Sequence, residues 1–162
     1  MNRDLLRSFI GKTVKIDRGG HESSTGFILG TSNSHFALNT EKDGIVYYQY
    51  FHIKSLTEYP KNELGLSADE IEQYEYREHE DFTDLLNSSR HQWVRINRGG
   101  PEKIEGILED ANSDFVTVIS KEEVVHLATF HIRSISFGEK YETVSEEEYK
   151  SSYTRPVRRK RK

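Results

Sequence analysis

Apolar and polar residues alternate in short runs along most of the chain: Val14 and Ile16, Phe36 and Leu38, Val46, Tyr48 and Tyr50, and later Val94 and Ile96, then Val116 and Val118. A period of two over such short runs predicts half-buried strands, four or five in each half of the chain. Tight reversals separate them. Gly19-Gly20 and Gly99-Gly100 supply the positive-φ positions that such a reversal needs, and Asp43-Gly44 marks a further hairpin. Short helices are predicted at Asp4 to Phe9 and Asp81 to Ser88. Ser67-x-x-Glu70 has the form of a capping box, predicting a helix through about Tyr76, and Ser145-x-x-Glu148 repeats that signature.

The pattern is duplicated. Residues 4 to 57 lie over 84 to 136 at an offset of 80, changing to 79 after the second strand, with twenty identical positions. Asp4-Leu5-Leu6 matches Asp84-Leu85-Leu86. Val14-x-Ile16-x-Arg18-Gly19-Gly20-x-Glu22 matches Val94-x-Ile96-x-Arg98-Gly99-Gly100-x-Glu102. Gly26 falls on Gly106, Asn33-Ser34-x-Phe36 on Asn112-Ser113-x-Phe115, and Phe51-His52-Ile53 on Phe130-His131-Ile132. Strand spacing of about ten residues in a unit of about fifty predicts a small, strongly bent sheet or barrel. The fold class expected is mainly β: two tandem SH3-like or Sm-like β-barrels, at residues 1–57 and 85–140. An acidic, partly helical linker at 58–84 joins them, and a short helix and disordered basic tail follow at 141–162.

Charge sharpens this division. The two units are near neutral, with seven Lys/Arg against five Asp/Glu in residues 1–57 and six against seven in 85–137. Residues 58–84 hold ten acids against two bases, and residues 155–162 hold six bases and no acid. The formal net charge of −4 therefore conceals an acidic bridge and a cationic end. With no cysteine, disulfides, thiolate nucleophiles and cysteine-ligated metals are excluded. The N-terminus has no apolar run behind a basic start, and no stretch of about eighteen apolar residues predicts a membrane span.

Candidate chemistry is sparse. His52 and His131 recur between Phe and Ile, but no Asp, Cys or second His recurs beside them at ligand spacing, so they read as rings fixing the turn into the last strand. Arg18 with Glu22, and Arg98 with Glu102, bracket the glycine turns and read as an ion pair across each hairpin, with anion binding by the turn as the alternative. Tyr47 and Tyr50 lie on a strand that is aromatic on both faces, and the second copy lacks them. They are expected to form an asymmetric partner surface. Arg155, Arg158, Arg159, Lys160, Arg161 and Lys162 are expected to attract polyanions by counterion release. No catalytic residue, cofactor, metal or small-molecule substrate is expected, and no G-x-S-x-G places a nucleophile at a strained turn.

HQWVRINRGGPEKIEGIL (91–108) with the closing FHIRSISFGEK (130–140), together with RGGHESSTG, ALNTEKDGIVYYQ and FHIKSLTE in the first copy, resembles the spore coat protein B family of endospore-forming bacilli. The resemblance covers residues 4 to 140. It implies a structural, non-catalytic component of the outer spore coat, made in the mother-cell cytoplasm and assembled with other coat proteins. It also implies longer relatives with a further unit or a tail rich in Ser, Lys and Arg. Self-association is compatible with that role. The alternative, an Sm-like RNA-binding protein, has the barrel expectation and the basic end in its favour and the acidic bridge against it.

Overall fold

A computed structural model describes residues 1–61 and 65–138. The alternating runs form strands as expected. In chain order they are α1 (Arg3–Ser8), β1 (Thr13–Ile16), β2 (Ser24–Thr31), β3 (His35–Thr40), β4 (Gly44–Gln49) and β5 (Leu56–Glu58). Next come α2 (Ala68–Glu72), α3 (Phe82–Ser88), β6 (Trp93–Ile96), β7 (Ile104–Ala111), β8 (Phe115–Ser120), β9 (Glu123–Ala128) and β10 (Ser134–Phe137). Single turns of 3-10 helix, Tyr50–His52 and Thr129–His131, precede β5 and β10. The Ser67–Glu70 capping box forms in full, but α2 ends at Glu72, short of Tyr76. The Ser145-x-x-Glu148 signature and the six basic residues from Arg155 to Lys162 lie outside the described residues.

All ten strands join one antiparallel sheet in the order β5-β1-β2-β3-β4-β10-β6-β7-β8-β9. That order is one five-strand pattern used twice: β5-β1-β2-β3-β4, then β10-β6-β7-β8-β9. The two patterns meet where β4 pairs with β10, Tyr48 opposite Ser134 and Tyr47 opposite Ile135. The outer sides of β5 and β9 pair with no strand among the described residues.

Two apolar clusters form among the described residues. Leu6, Val14, Ile16, Ile28, Phe36, Leu38, Val46, Tyr48 and Tyr50 form the core of the first half, with Phe36 stacked on Tyr48 and Tyr50 at 5.5 and 6.0 Å. The second cluster does not keep to the second half. Leu29, Ala37 and Tyr47 of the first half are buried in it with Phe82, Leu85, Val94, Leu108 and Ile135, and Leu66, Ile71, Tyr74 and Tyr76 from the connecting segment pack against it. Burying an aromatic or large aliphatic side chain contributes about 1.5–3 kcal/mol each, so residues of the first half and the connection stabilise the second.

The register of the repeat differs from the one that residue identity suggests. Phe36 and Phe115 share a letter but not a place. In the first half Phe27 faces Asn39 and Thr31 faces Phe36; in the second Ile107 faces Ile119 and Ala111 faces Val116. The offset of 80 therefore persists through β3 and β8, setting Phe36 over Val116 and His35 over Phe115. The missing residue lies in the next hairpin, where a three-residue loop, Glu41 to Asp43, becomes a two-residue loop, Lys121 and Glu122. A slip of one residue exchanges the two faces of a strand. Phe36 is accordingly fully buried, whereas Phe115 is 40% exposed.

Candidate functional site

The richest chemistry lies along the seam between β4 and β10. The turn after β1 is built in the same way in both copies: Asp17 and Asn97 take φ of 53° and 57°, and Gly20 and Gly100 take 86° and 84°. Gly19 and Gly99 do not have positive φ, so the reversal needs only the second glycine of each pair, and space is short only at Gly99. A Cβ on Gly99 would lie 2.5 Å from His21 Nδ1 of the first half, while a Cβ on Gly19 would meet nothing within 4 Å. Asp17 Oδ1 accepts from the backbone N–H of Lys54, and Asn97 Oδ1 from that of Arg133, so each turn fixes the segment entering the last strand.

Glu22 and Arg18 do not form the pair expected across their hairpin. Arg18 is exposed, and Glu22 is buried against the second half. One carboxylate oxygen of Glu22 accepts from the Arg98 backbone N–H at 2.8 Å, the other from Ser134 Oγ at 2.5 Å, and Arg133 Nε lies 3.5 Å away. Carboxylate desolvation is offset only when several donors converge in this way. Arg98 turns instead to Asp43, which also lies 3.9 Å from Arg95. Burial pushes the Arg98 guanidinium below its ordinary pKa, and Glu22 pulls it back up. A polar cleft of about 580 Å³ runs along this seam, lined by Asp43, Arg95, Arg98, Lys103, Glu105 and Ser134 among others.

The tyrosines expected to face a partner are taken up inside the chain. Tyr47 is 3% exposed and Tyr50 is 6% exposed. Tyr47 packs edge-on against Phe137 at 5.5 Å, and its hydroxyl accepts from the Arg77 N–H at 2.7 Å. Arg77 in turn lies 4.0 Å over the Phe137 ring. Tyr50 donates to the Ser32 carbonyl at 2.5 Å within the first half. The physical reason for the correction is that β4 is not an edge strand: β10 covers its edge, and the two clusters cover its faces, Tyr48 and Tyr50 lying in the first and Tyr47 in the second. The asymmetry of the Tyr47 position was legible, but the partner proves to be the second copy within the same chain.

Gln49 and His52 complete the seam. The Gln49 amide donates to the carbonyls of Thr129 and Ile132 at 3.1 and 2.5 Å, satisfying two acceptors at the 3-10 turn of the second half. His52 Nε2 bonds the Phe130 carbonyl, and the two rings meet edge to face at 5.6 Å. His52 is thus a contact between halves, whereas His131 at the matching place is exposed. His35, missed by sequence reading, lies wholly buried between Tyr47 and Phe82 with its Nδ1 unpartnered. Burial, reinforced by His79 and opposed more weakly by Asp81, holds its pKa down at about 4.

No family model matches the chain. Spore coat protein B of Bacillus subtilis (strain 168) is 40% identical over 136 residues, a match taking in 84% of this chain and 35% of the relative. The match therefore spans about a third of that relative's length. Over the matched stretch, the chain is therefore related to spore coat protein B.

Proposed function

We propose that this chain is a structural, non-catalytic component of the bacterial spore outer coat, made in the mother cell and assembled with other coat proteins. The relationship to spore coat protein B supports the coat role. The observation that carries the mode of action is the use of strand pairing as a joint: β4 and β10 link the two halves, and β5 and β9 remain as edges among the described residues. We read each half as a small bent barrel, with residues 1–57 and 85–140 as units and 58–84 as the bridge. Sheet edges bind other chains by main-chain hydrogen bonds, with flanking side chains providing selectivity. In this reading the cationic residues Arg155 to Lys162 add polyanion binding, and weak contacts sum through high effective concentration.

RNA binding draws no support from the described seam, whose basic residues Arg95, Arg98 and Arg133 already face Asp43 and Glu22. Fusion to a fluorescent protein tests the coat reading. Signal on the spore surface, extracted with the coat fraction, is expected. Diffuse signal in vegetative cells with none on spores would overturn it.

A further inference from the structure

The outer sides of β5 and β9 are the same two surfaces that make the inner seam. β5 corresponds to β10, and β9 corresponds to β4. Along β4, Ile45 is half-buried and Val46, Tyr47, Tyr48 and Gln49 are buried; at the matching places on β9, Val124 is 59% exposed, Val125 is half-buried, and His126 and Ala128 are exposed. Ser134 to Ser136 of β10 are buried, whereas Ser55 to Thr57 are only half-buried. The difference is that the second half pairs with and packs against β4, while among the described residues no strand pairs with the outer side of β9.

We infer that a second copy of this chain supplies the missing strand, the β5 edge of one molecule pairing with the β9 edge of the next. Charge complementarity chooses this occupant. Where Glu22 meets Arg133 and Ser134 in the inner seam, the outer surfaces carry Glu102 on the β9 side and Lys54 and Ser55 on the β5 side. Where Asp43 meets Arg95 and Arg98, the outer surfaces carry Glu122, the last loop residue before β9, and Lys15 and Arg18. Each ionic contact of the inner seam has an outer counterpart of the same sign. The Phe-His contact is preserved too: His131 stands where His52 does, and Phe51, 75% exposed, stands where Phe130 does. Gly19, bare where Gly99 lies under His21, would receive Pro101 of the next molecule.

Three inner contacts have no outer counterpart. Ala128 replaces Gln49 with its two amide bonds, and His126 with Glu58 replaces Tyr47 with Phe137. The outer joint is therefore weaker and more electrostatic than the inner one, and salt should loosen it. Because the contact is head to tail, each added molecule presents the same two ends again, and growth proceeds until a ring closes or a filament forms.

The absence of native cysteine makes the test direct. Ile135 opposite Tyr47 translates to Leu56 of one molecule opposite His126 of another, a spacing at which cross-strand disulfides form. Full-length L56C and H126C chains, one enlarged by a tag, are mixed and mildly oxidised. Heterodimer is expected to exceed either homodimer by about tenfold, corresponding to about 1.4 kcal/mol of preference. E122K in the H126C chain should abolish that excess, and K15E with R18E in the L56C chain should restore it. Statistical pairing, an excess indifferent to E122K, or no cross-link would each overturn the proposal. Sedimentation of the unmodified chain against E122K provides a check free of cysteine: concentration-dependent association that weakens in salt and is lost in E122K supports the joint, and a monomer at all concentrations overturns it. This proposal deepens the assembly reading by naming its partner, yet the two fail separately. Spores decorated by a chain that does not cross-link would retain the coat role and remove the joint.

Discussion

β4 and β9 occupy the same place in the two halves and have the same length, yet one carries Tyr47, Tyr48 and Gln49 where the other carries His126, Leu127 and Ala128. The first lies between two strands and the second has one neighbour among the described residues. Residues behind them follow suit. Leu29 at the bulge of β2 is buried in the shared core, while Glu109 at the matching bulge of β7 is exposed. A duplicated unit thus keeps its strand order, and its sequence diverges where its surroundings differ. The inner joint is furnished with aromatic rings and buried amide bonds, and the outer surfaces retain charge.

Substitutions that make β4 more like β9 should measure that difference. Tyr47→Ala removes a ring from the second core and the acceptor of the Arg77 N–H, and should lower stability by about 3–5 kcal/mol in denaturant unfolding. An unchanged midpoint would show that the seam is peripheral. Glu22→Ala should cost about 3–5 kcal/mol by leaving Arg133 and the Arg98 N–H uncompensated. Its counterpart Glu102→Ala serves as the control and should stay within about 0.5 kcal/mol in the dilute chain. Equal effects would show that the halves do not differ as described.

Protons distinguish the halves as well. His35 stands where the second copy has Phe115. The unfolded chain protonates this histidine near pH 6.5, but the folded chain resists until about 4. Between those values the unfolded state binds more protons, so stability falls as pH falls through the window, by up to about 3 kcal/mol. His35→Phe should remove that part of the acid slope in melting temperature against pH, and an unaltered slope would assign it to other groups. Gln49→Ala should have the smallest effect of the seam substitutions, about 1–3 kcal/mol for two lost amide bonds, of which the Thr129 carbonyl keeps the Ile132 N–H as donor, read as a shift in denaturation midpoint.

Much of this was legible in the residues. Alternation located the strands, the capping box located the start of α2, and the doubled landmarks located both turns. Strand register was less accessible, because Asn33-Ser34-x-Phe36 and Asn112-Ser113-x-Phe115 look alike while pairing with β2 and β7 keeps the offset of 80 and puts the two phenylalanines on opposite faces. Letters in a turn are chosen by local hydrogen bonding, and a residue is lost most easily where no ladder must be kept. The seam was hidden for a related reason. A strand apolar on both faces signals that something covers it without saying what, and here the cover comes from the far end of the repeat. Nor does Glu22 announce its partners, since Arg98, Arg133 and Ser134 are all remote in sequence.

The pairing of Tyr48 with Ser134 also has a consequence in time. The strand that closes the β4 edge is encoded 86 residues later. At synthesis rates of about 5–20 residues per second, the first half waits about 4–17 s for its cover. A strand from a neighbouring nascent chain would fit as well as its own during that interval. Because the segment between the copies holds the correct strand on the same chain, its effective concentration at the β4 edge favours closure within one molecule over exchange between two.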